Sequence, residues 1–273
     1  MSKKIIITGG LGYIGTELCK IYSGVSRNNE IVVIDNRFIS ERVNQLRNWN
    51  IKFIHGDILD QDLLKKQFNN ADIVHHLAGI TDVARTTKEI MKSKDEKINL
   101  VAIEGTKNVI SSMPENCKTI FPSTHVIFEG LQSIKNDIVE AEYPKPILTY
   151  STGKFKNEEQ IKKSGKKYAI LRLGSVYGYS NGATRVDIMP NFFSKTTSQN
   201  GVIKLFSGGH QIKSLVPLLD VARCFKFMEE NENINSEVFN LSKDSITVKE
   251  VAESGRGQHD EQRERQSHDG QTA

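Results

Sequence analysis

The chain has 273 residues, 37% of them apolar and 26% charged, with a net charge of +4. That length suits one large α/β domain with a smaller lobe. A mean hydropathy of −0.42, with no apolar run near the ~20 residues a bilayer requires, excludes a membrane-spanning helix.

In chain order, strands are expected at 4–8, 31–35, 52–55, 73–77, 119–123, 168–173 and 238–241. Most are continuous β-branched or apolar runs, the pattern of parallel strands covered on both faces. Helices are expected at 13–22, 60–69, 87–112, 150–164, 186–198, 219–230 and 247–253. Strand–helix alternation of this kind predicts an α/β, doubly wound parallel sheet of Rossmann type. Residues 178–216 break the alternation with Gly182, Pro190, Gly201, Gly208 and Gly209. The expected organisation is therefore a dinucleotide-binding core over 1–177, which strand 238–241 rejoins, and a partial substrate lobe over 178–237. Residues 254–273 contain no apolar side chain except Ala273, so they are expected to be disordered. Cys19, Cys117 and Cys224 have neither disulfide nor zinc spacing, and the apolar run after Lys4 is too short for a signal-peptide core. Both features point to a reducing, cytoplasmic setting.

Thr8-Gly9-Gly10-Leu11-Gly12-Tyr13-Ile14-Gly15 follows the first strand and opens the first helix. Glycines at 9, 12 and 15 permit a tight turn and close approach of backbone to a pyrophosphate, and the helix N-terminus supplies N–H groups and positive dipole. Asp35 ends the second strand, 20 residues after Gly15, where a carboxylate can accept bonds from both ribose hydroxyls. It would repel a 2′-phosphate, which favours NAD, and Arg37 two residues on softens that preference. Tyr150 and Lys154, four apart, share one face of a helix. Thr124 follows a strand that ends at the sheet's carboxyl edge, where ligands bind. An ammonium beside a phenol favours the phenolate, which makes a base of a group that ordinarily titrates near ~10.

With these motifs in order, the chain resembles the extended short-chain dehydrogenase/reductase family of NAD-dependent nucleotide-sugar epimerases and dehydratases. The resemblance spans about residues 3–253. It implies that Gly9, Gly12, Tyr13, Ile14 and Gly15 hold the dinucleotide's phosphates, and that Asp35 and Asn36 meet its ribose. Asp57 and Ile58, from His55-Gly56-Asp57-Ile58, would meet the adenine. Leu77, Ala78 and Gly79 would run under the cofactor, and Asn99 stands in the family's N-x-x-G-T-x-N. Thr124, Tyr150 and Lys154 match the catalytic triad. Tyr150 would take a sugar hydroxyl proton as hydride passes to nicotinamide, Lys154 would hold the nicotinamide ribose and lower the Tyr150 pKa, and Thr124 would orient the oxygen. Ser175, Asn191 and Lys213 are the expected substrate contacts. Lys213 stands where the family has a diphosphate-binding Arg, keeping the charge without the fork.

His125-Val126 replaces the Asp-Glu pair that 4,6-dehydratases carry after Thr, which disfavours 4,6-dehydration. The leading expectation is C4 epimerisation of a UDP-hexose-type substrate. Ser123-Thr124-His125-Val126-Ile127-Phe128-Glu129-Gly130 resembles the motif of 4-keto-deoxysugar reductases, a second reading. The polar run after Ser254 stands where substrate-lobe chain is expected, so cofactor binding without turnover is a third. Histidines 55, 75, 76 and 125 lack ligand partners at metal spacing, and no metal is expected. The lysines between 154 and 167 read as a solvated helix face rather than a nucleic-acid patch. Helices 87–112 and 150–164 would supply the face of a homodimer.

Overall fold

The computed structural model describes residues 2–25, 28–81, 95–133, 135 and 137–254. Strand β1 (Lys4–Thr8) lies in the interior of its main sheet, with Ile5, Ile6 and Ile7 wholly buried. Successive strand side chains point to opposite faces, so the run Ile-Ile-Ile needs a covered layer on each side. Ile5 and Ile7 pack with Leu18 and Tyr22 of α1 (Tyr13–Val25). Ile6 joins Val32, Val74, Leu64 and Phe68 on the other face.

The remaining strands of this sheet are β2 (Glu30–Asp35), β3 (Lys52–His55), β4 (Ile73–His76), β5 (Lys118–Thr124), β6 (Tyr168–Leu173) and β9 (Glu237–Leu241). Their order is β3-β2-β1-β4-β5-β6-β9, with every pairing parallel. The chain leaves β3 at one edge and re-enters as β4 on the other side of β1. This reversal opens a crevice at the carboxyl ends of β1 and β4, where ligands bind in such sheets.

A second sheet has the order β10-β8-β7, formed by β7 (Ser175–Tyr177), β8 (Ile212–Pro217) and β10 (Asp244–Thr247). Phe193, Leu215, Val251 and Ala252 form its small core.

All seven predicted strands belong to the large sheet, with five of their fourteen ends shifted by a single residue. The three strands of the small sheet were not expected as strands. Helix α2 (Ser40–Asn48) was also missed, because its mostly polar sequence buries only Val43 and Leu46. The expected helix 87–112 falls partly outside the described residues. Residues 95–100 are helical, Val101–Gly105 widens into a π-turn, and α4 (Thr106–Ser112) completes the segment. Further helices are α3 (Gln61–Phe68), α5 (Thr149–Lys163), α6 (Met189–Ser198) and α7 (Leu218–Glu230). The expected helix at 247–253 is found at 248–254, and the polar run beyond it lies outside the described residues.

Candidate active site

β1 delivers the chain into Gly9 at φ +73, and a Cβ there would lie 2.7 Å from Ala78 Cα. Glycine is therefore needed on two counts, for a left-handed backbone and for close approach to the turn after β4. A Cβ on Gly15 would stand 2.6 Å from the Gly9 carbonyl oxygen. Gly12 N–H donates to the Gly9 carbonyl at 3.0 Å, and Thr16 N–H to the Gly12 carbonyl at 2.9 Å. The turn thus runs into the first turn of α1, where Tyr13 and Ile14 lie. Leu77 and Ala78 are tied back to Thr8, Leu77 N–H to its carbonyl at 3.0 Å and Ala78 N–H to its hydroxyl at 3.3 Å. Gly79 faces open space.

Asp35 is buried at the end of β2 and accepts from Leu11 N–H at 3.0 Å and Arg37 N–H at 3.0 Å. Beside it, Asn36 Nδ2 donates to Asp57 at 2.9 Å. Ile58, expected at the adenine, is buried in the second core cluster and packs against Gly105. Asn99 is exposed on the helical stretch 95–100. A glycine cradle that any Cβ would fill, next to a carboxylate at the end of β2, fits a dinucleotide.

Thr124 ends β5 and Tyr150 opens α5, which brings the Thr124 hydroxyl close enough to act on the phenol. Burial raises the Tyr150 phenol above its ordinary value, while the charge of Arg185 and the Thr124 bond pull it back. Lys154, one turn on, donates to the Pro122 carbonyl at 2.6 Å and sits 4.4 Å over the Phe121 ring. Burial pushes its ammonium down to about 8, opposed by Glu158. The Lys154 ammonium is turned to a backbone carbonyl, and Arg185 is a further residue whose charge lowers the phenol. Arg185 was missed in the sequence, where Arg185-x-Asp187 inside a glycine-rich stretch was its only signal. It donates to Asp187 at 3.2 and 2.7 Å and to Thr81, just past β4, at 2.9 Å.

Two anchors fix α5. One Glu129 oxygen accepts from Ile147 N–H at 2.8 Å, Leu148 N–H at 2.6 Å and Ser151 Oγ at 2.5 Å, capping the helix that carries Tyr150. Lower down, Glu158 receives Arg172 of β6 in a fork at 3.0 and 2.9 Å, both side chains being almost fully buried.

The three expected substrate residues are spread over the lobe. Ser175 pairs with Leu215 across β7 and β8. Lys213 is exposed on β8, paired with Ile246, and its charge reaches His125. Asn191 holds the two lobes together. It accepts from Gly178 N–H at 2.9 Å and donates to Tyr13 Oη at 3.1 Å and the Arg185 carbonyl at 2.9 Å. Beside it is a cleft of ≈ 670 Å³, lined in part by Tyr177, Phe193, Ser198, Asp244 and Val251.

The four histidines have structural partners. His55 meets the Asn36 carbonyl at 3.0 Å, and His75 meets Glu229 at 2.9 Å. His76 bridges Thr8 and Thr106 at 2.9 and 3.0 Å, and His125 meets the Leu173 carbonyl at 2.9 Å. Burial pushes His76 down to about 3, which keeps its imidazole neutral. On α5, Lys162 and Lys163 pair with Glu158 and Glu159. Among the described residues, no helix is long and apolar enough to cross a membrane.

The family model described as "NAD dependent epimerase/dehydratase family" matches residues 5–242. The chain is 27% identical over 267 residues to a dTDP-D-glucose 4,6-dehydratase of Dictyostelium discoideum, covering 89% of this chain and 58% of that protein. It is 28% identical over 228 residues to a putative UDP-glucose 4-epimerase of Methanocaldococcus jannaschii, covering 80% and 71%. Among solved structures, it is similar to the UDP-glucuronic acid 4-epimerase of Bacillus cereus, in complex with UDP-glucuronic acid and NAD. That match has a TM-score of 0.77 and 25% identity, and covers 90% of this chain and 79% of that one.

Proposed function

The chain belongs to the NAD-dependent epimerase/dehydratase family, and on that premise we propose that it interconverts C4 epimers of a UDP-hexose-type nucleotide sugar through a transient keto sugar. The observation that carries this reading is the convergence of Thr124 at the end of β5 with Tyr150 and Lys154 one turn apart on α5, beside a glycine turn that fits a dinucleotide. NAD, when bound, supplies the hydride acceptor and then the hydride donor. The chain's own residues handle the proton and the position. Tyr150 Oη takes the proton of the sugar hydroxyl as the C–H bond breaks, and returns it when hydride adds to the other face. Thr124 orients the reacting oxygen. Burial leaves the phenol above its ordinary value, and Arg185 and Thr124 oppose that rise, which favours the phenolate the reaction needs.

His125, bound to a backbone carbonyl, stands after Thr124 where dehydration needs a carboxyl acid. That argues for epimerisation over 4,6-elimination. Lys213 meets the substrate's diphosphate, with Ser175 and Asn191 nearer the sugar. The helical stretch 95–112 and α5 supply a homodimer face, which sedimentation checks.

Proton NMR of a UDP-hexose panel with trace NAD tests the reading. One sugar is expected to yield its C4 epimer with no net redox, and Tyr150→Phe to lower the rate by about 10²–10⁴-fold. If no epimer forms and the variant behaves as the wild type does, the proposal fails. Stoichiometric loss of absorbance at 340 nm with excess NADPH would replace it by keto-sugar reduction.

A further inference from the structure

A buried row of polar groups joins the end of β1 to the helix that carries Tyr150. Ala78 N–H donates to the Thr8 hydroxyl at 3.3 Å. Thr8 Oγ1 lies 2.9 Å from His76 Nδ1, and His76 Nε2 lies 3.0 Å from Thr106 Oγ1 at the start of α4. Thr106 Oγ1 lies 3.1 Å from Asn157 Oδ1 on α5, and Asn157 Nδ2 meets the Gly153 carbonyl at 3.1 Å and the Ala102 carbonyl at 2.9 Å. Thr8, His76, Thr106 and Asn157 are each no more than 4% exposed, so bulk water does not stand in for a missing partner.

The ends of the row fix its direction. The Gly153 and Ala102 carbonyls only accept, so the Asn157 amide turns Nδ2 to them and Oδ1 to Thr106. Thr106 must then donate to Oδ1 and accept from His76, which puts the imidazole proton on Nε2. Burial, with the charge of Lys154, keeps His76 neutral, so Nδ1 is an acceptor and takes the Thr8 proton. A lone pair on Thr8 is left for Ala78 N–H. Every donor on the row then has an acceptor, and reversing any one bond would set two donors or two lone pairs against each other. A backbone N–H at one end and carbonyls at the other do not exchange a proton with solvent, so the row holds position rather than relaying charge.

Its two ends matter for the site. Thr8 leads into the glycine turn, and Gly153 precedes Lys154 on α5. A Cβ on Gly153 would stand 3.1 Å from Ala102 Cβ, and Gln160 Nε2 donates to the Ile103 carbonyl at 3.2 Å. Helix α5 therefore lies close against the π-turn Val101–Gly105, and Asn157 takes a carbonyl from each. We propose that Thr106 and Asn157 are positioning residues: the one-way row from Ala78 through Thr8 and His76 seats α5, and so sets where Tyr150 and Lys154 stand relative to the glycine turn. The inference rests on the proposed function, which gives Tyr150 and Lys154 their parts. If the seat is lost, the phenol moves from the Thr124 hydroxyl and the Arg185 charge, the two groups that oppose its rise on burial.

Thr106→Val, which removes the hydroxyl and keeps the shape, and Thr106→Ser, which keeps the hydroxyl, test it in the full chain. Nitrogen-15 NMR of the histidine rings is expected to find the His76 proton on Nε2 in the wild type and in Thr106→Ser. In Thr106→Val it should move to Nδ1, because Nε2 has lost its acceptor. With trace NAD, Thr106→Val should lower kcat by about ten- to hundredfold, leave KM little changed and move the acid limb of the kcat profile to higher pH. Thr106→Ser should restore both. A wild-type His76 proton on Nδ1 overturns the inference even if Thr106→Val does not fold, as does a valine variant with the wild-type kcat and pH profile. If the wild type converts no sugar, the proposed function falls, and calorimetry with NAD decides this inference. Weaker binding in Thr106→Val that Thr106→Ser restores then supports it, and equal affinity in all three chains overturns it.

Discussion

The large sheet and the small one are held by different means. In the large sheet, β1, β2 and β5 are buried over nearly their whole length, and its charged groups are closed into pairs: Glu158 with Arg172, and Glu229 with His75 and Lys226. In the small sheet, β8 and β10 begin exposed, and Phe206, Val202 and Ile212 stand largely in solvent. Buried ion pairs become liabilities once one partner is lost, whereas exposed side chains are nearly neutral. The difference teaches where stability resides and, on the proposed reading, where the chemistry does. The large sheet holds the glycine turn, Thr124 and the strand that anchors α5 in a rigid frame. The small lobe contributes Arg185, Asn191 and Lys213 from its segments along the seam.

The contrast is broken most directly by removing one member of a buried pair. Glu158→Gln should leave the Arg172 guanidinium buried without a counter-charge, and urea unfolding should show a loss of about 3–5 kcal/mol. Arg172→Met combined with Glu158→Leu should recover most of that loss. A Glu158→Gln cost below about 1 kcal/mol would mean that α5 is not anchored by this pair.

Acid should next reveal Glu229. Burial alone would raise its carboxyl, but the hydrogen bond and charge of His75, with Lys226 and Tyr22, hold it at about 2, against an ordinary 4.5. A carboxyl whose pKa is depressed in the folded state contributes stability above the unfolded value and loses it as pH falls. The window is pH 4.5 down to 2, and the contribution is roughly 3 kcal/mol. Glu229→Gln should flatten the stability profile across that window. Parallel profiles for variant and wild type would show that the group is not coupled to folding.

Gly9→Ala is expected to be smaller in stability and sharper in function. A side chain at φ +73, 2.7 Å from Ala78 backbone, should cost about 1–3 kcal/mol and displace the turn proposed to face the pyrophosphate. Calorimetry should then show NAD affinity falling by more than the stability does. An alanine variant that binds NAD as tightly as wild type would remove the glycine turn from the site.

How much of this was legible in the sequence follows the same division. Continuous runs such as Ile5-Ile6-Ile7 have one physical solution, a strand covered on both faces, so the large sheet could be read strand by strand. The glycine spacing, Asp35, and the Tyr150–Lys154 pair were legible because each is a local pattern. α2 was not, since only two of its nine residues are buried. β7, β8 and β10 were not, because short, half-exposed strands carry little periodicity. Arg185 was hidden for another reason. What brings it to Tyr150 is the fold of the lobe over the crevice, and no spacing in the chain encodes that approach. Lys154 lies one turn after Tyr150 on α5, as the spacing predicts, and its ammonium meets the Pro122 carbonyl, a partner visible only in three dimensions.

The smallest effect belongs to the lobe and tests the comparison from the other side. Phe206 is 86% exposed, in a turn whose neighbour Ser207 sits at φ 47. An aromatic ring already in water loses little transfer energy when replaced, and the left-handed turn depends on Ser207 and Gly208 rather than on the ring. Phe206→Ser should therefore change unfolding free energy by no more than about 0.5 kcal/mol and leave NAD binding untouched. If it instead destabilises the chain by more than about 1 kcal/mol, the ring is covered in solution. The small sheet would then be held by burial as the large one is, and the division drawn between them would fail.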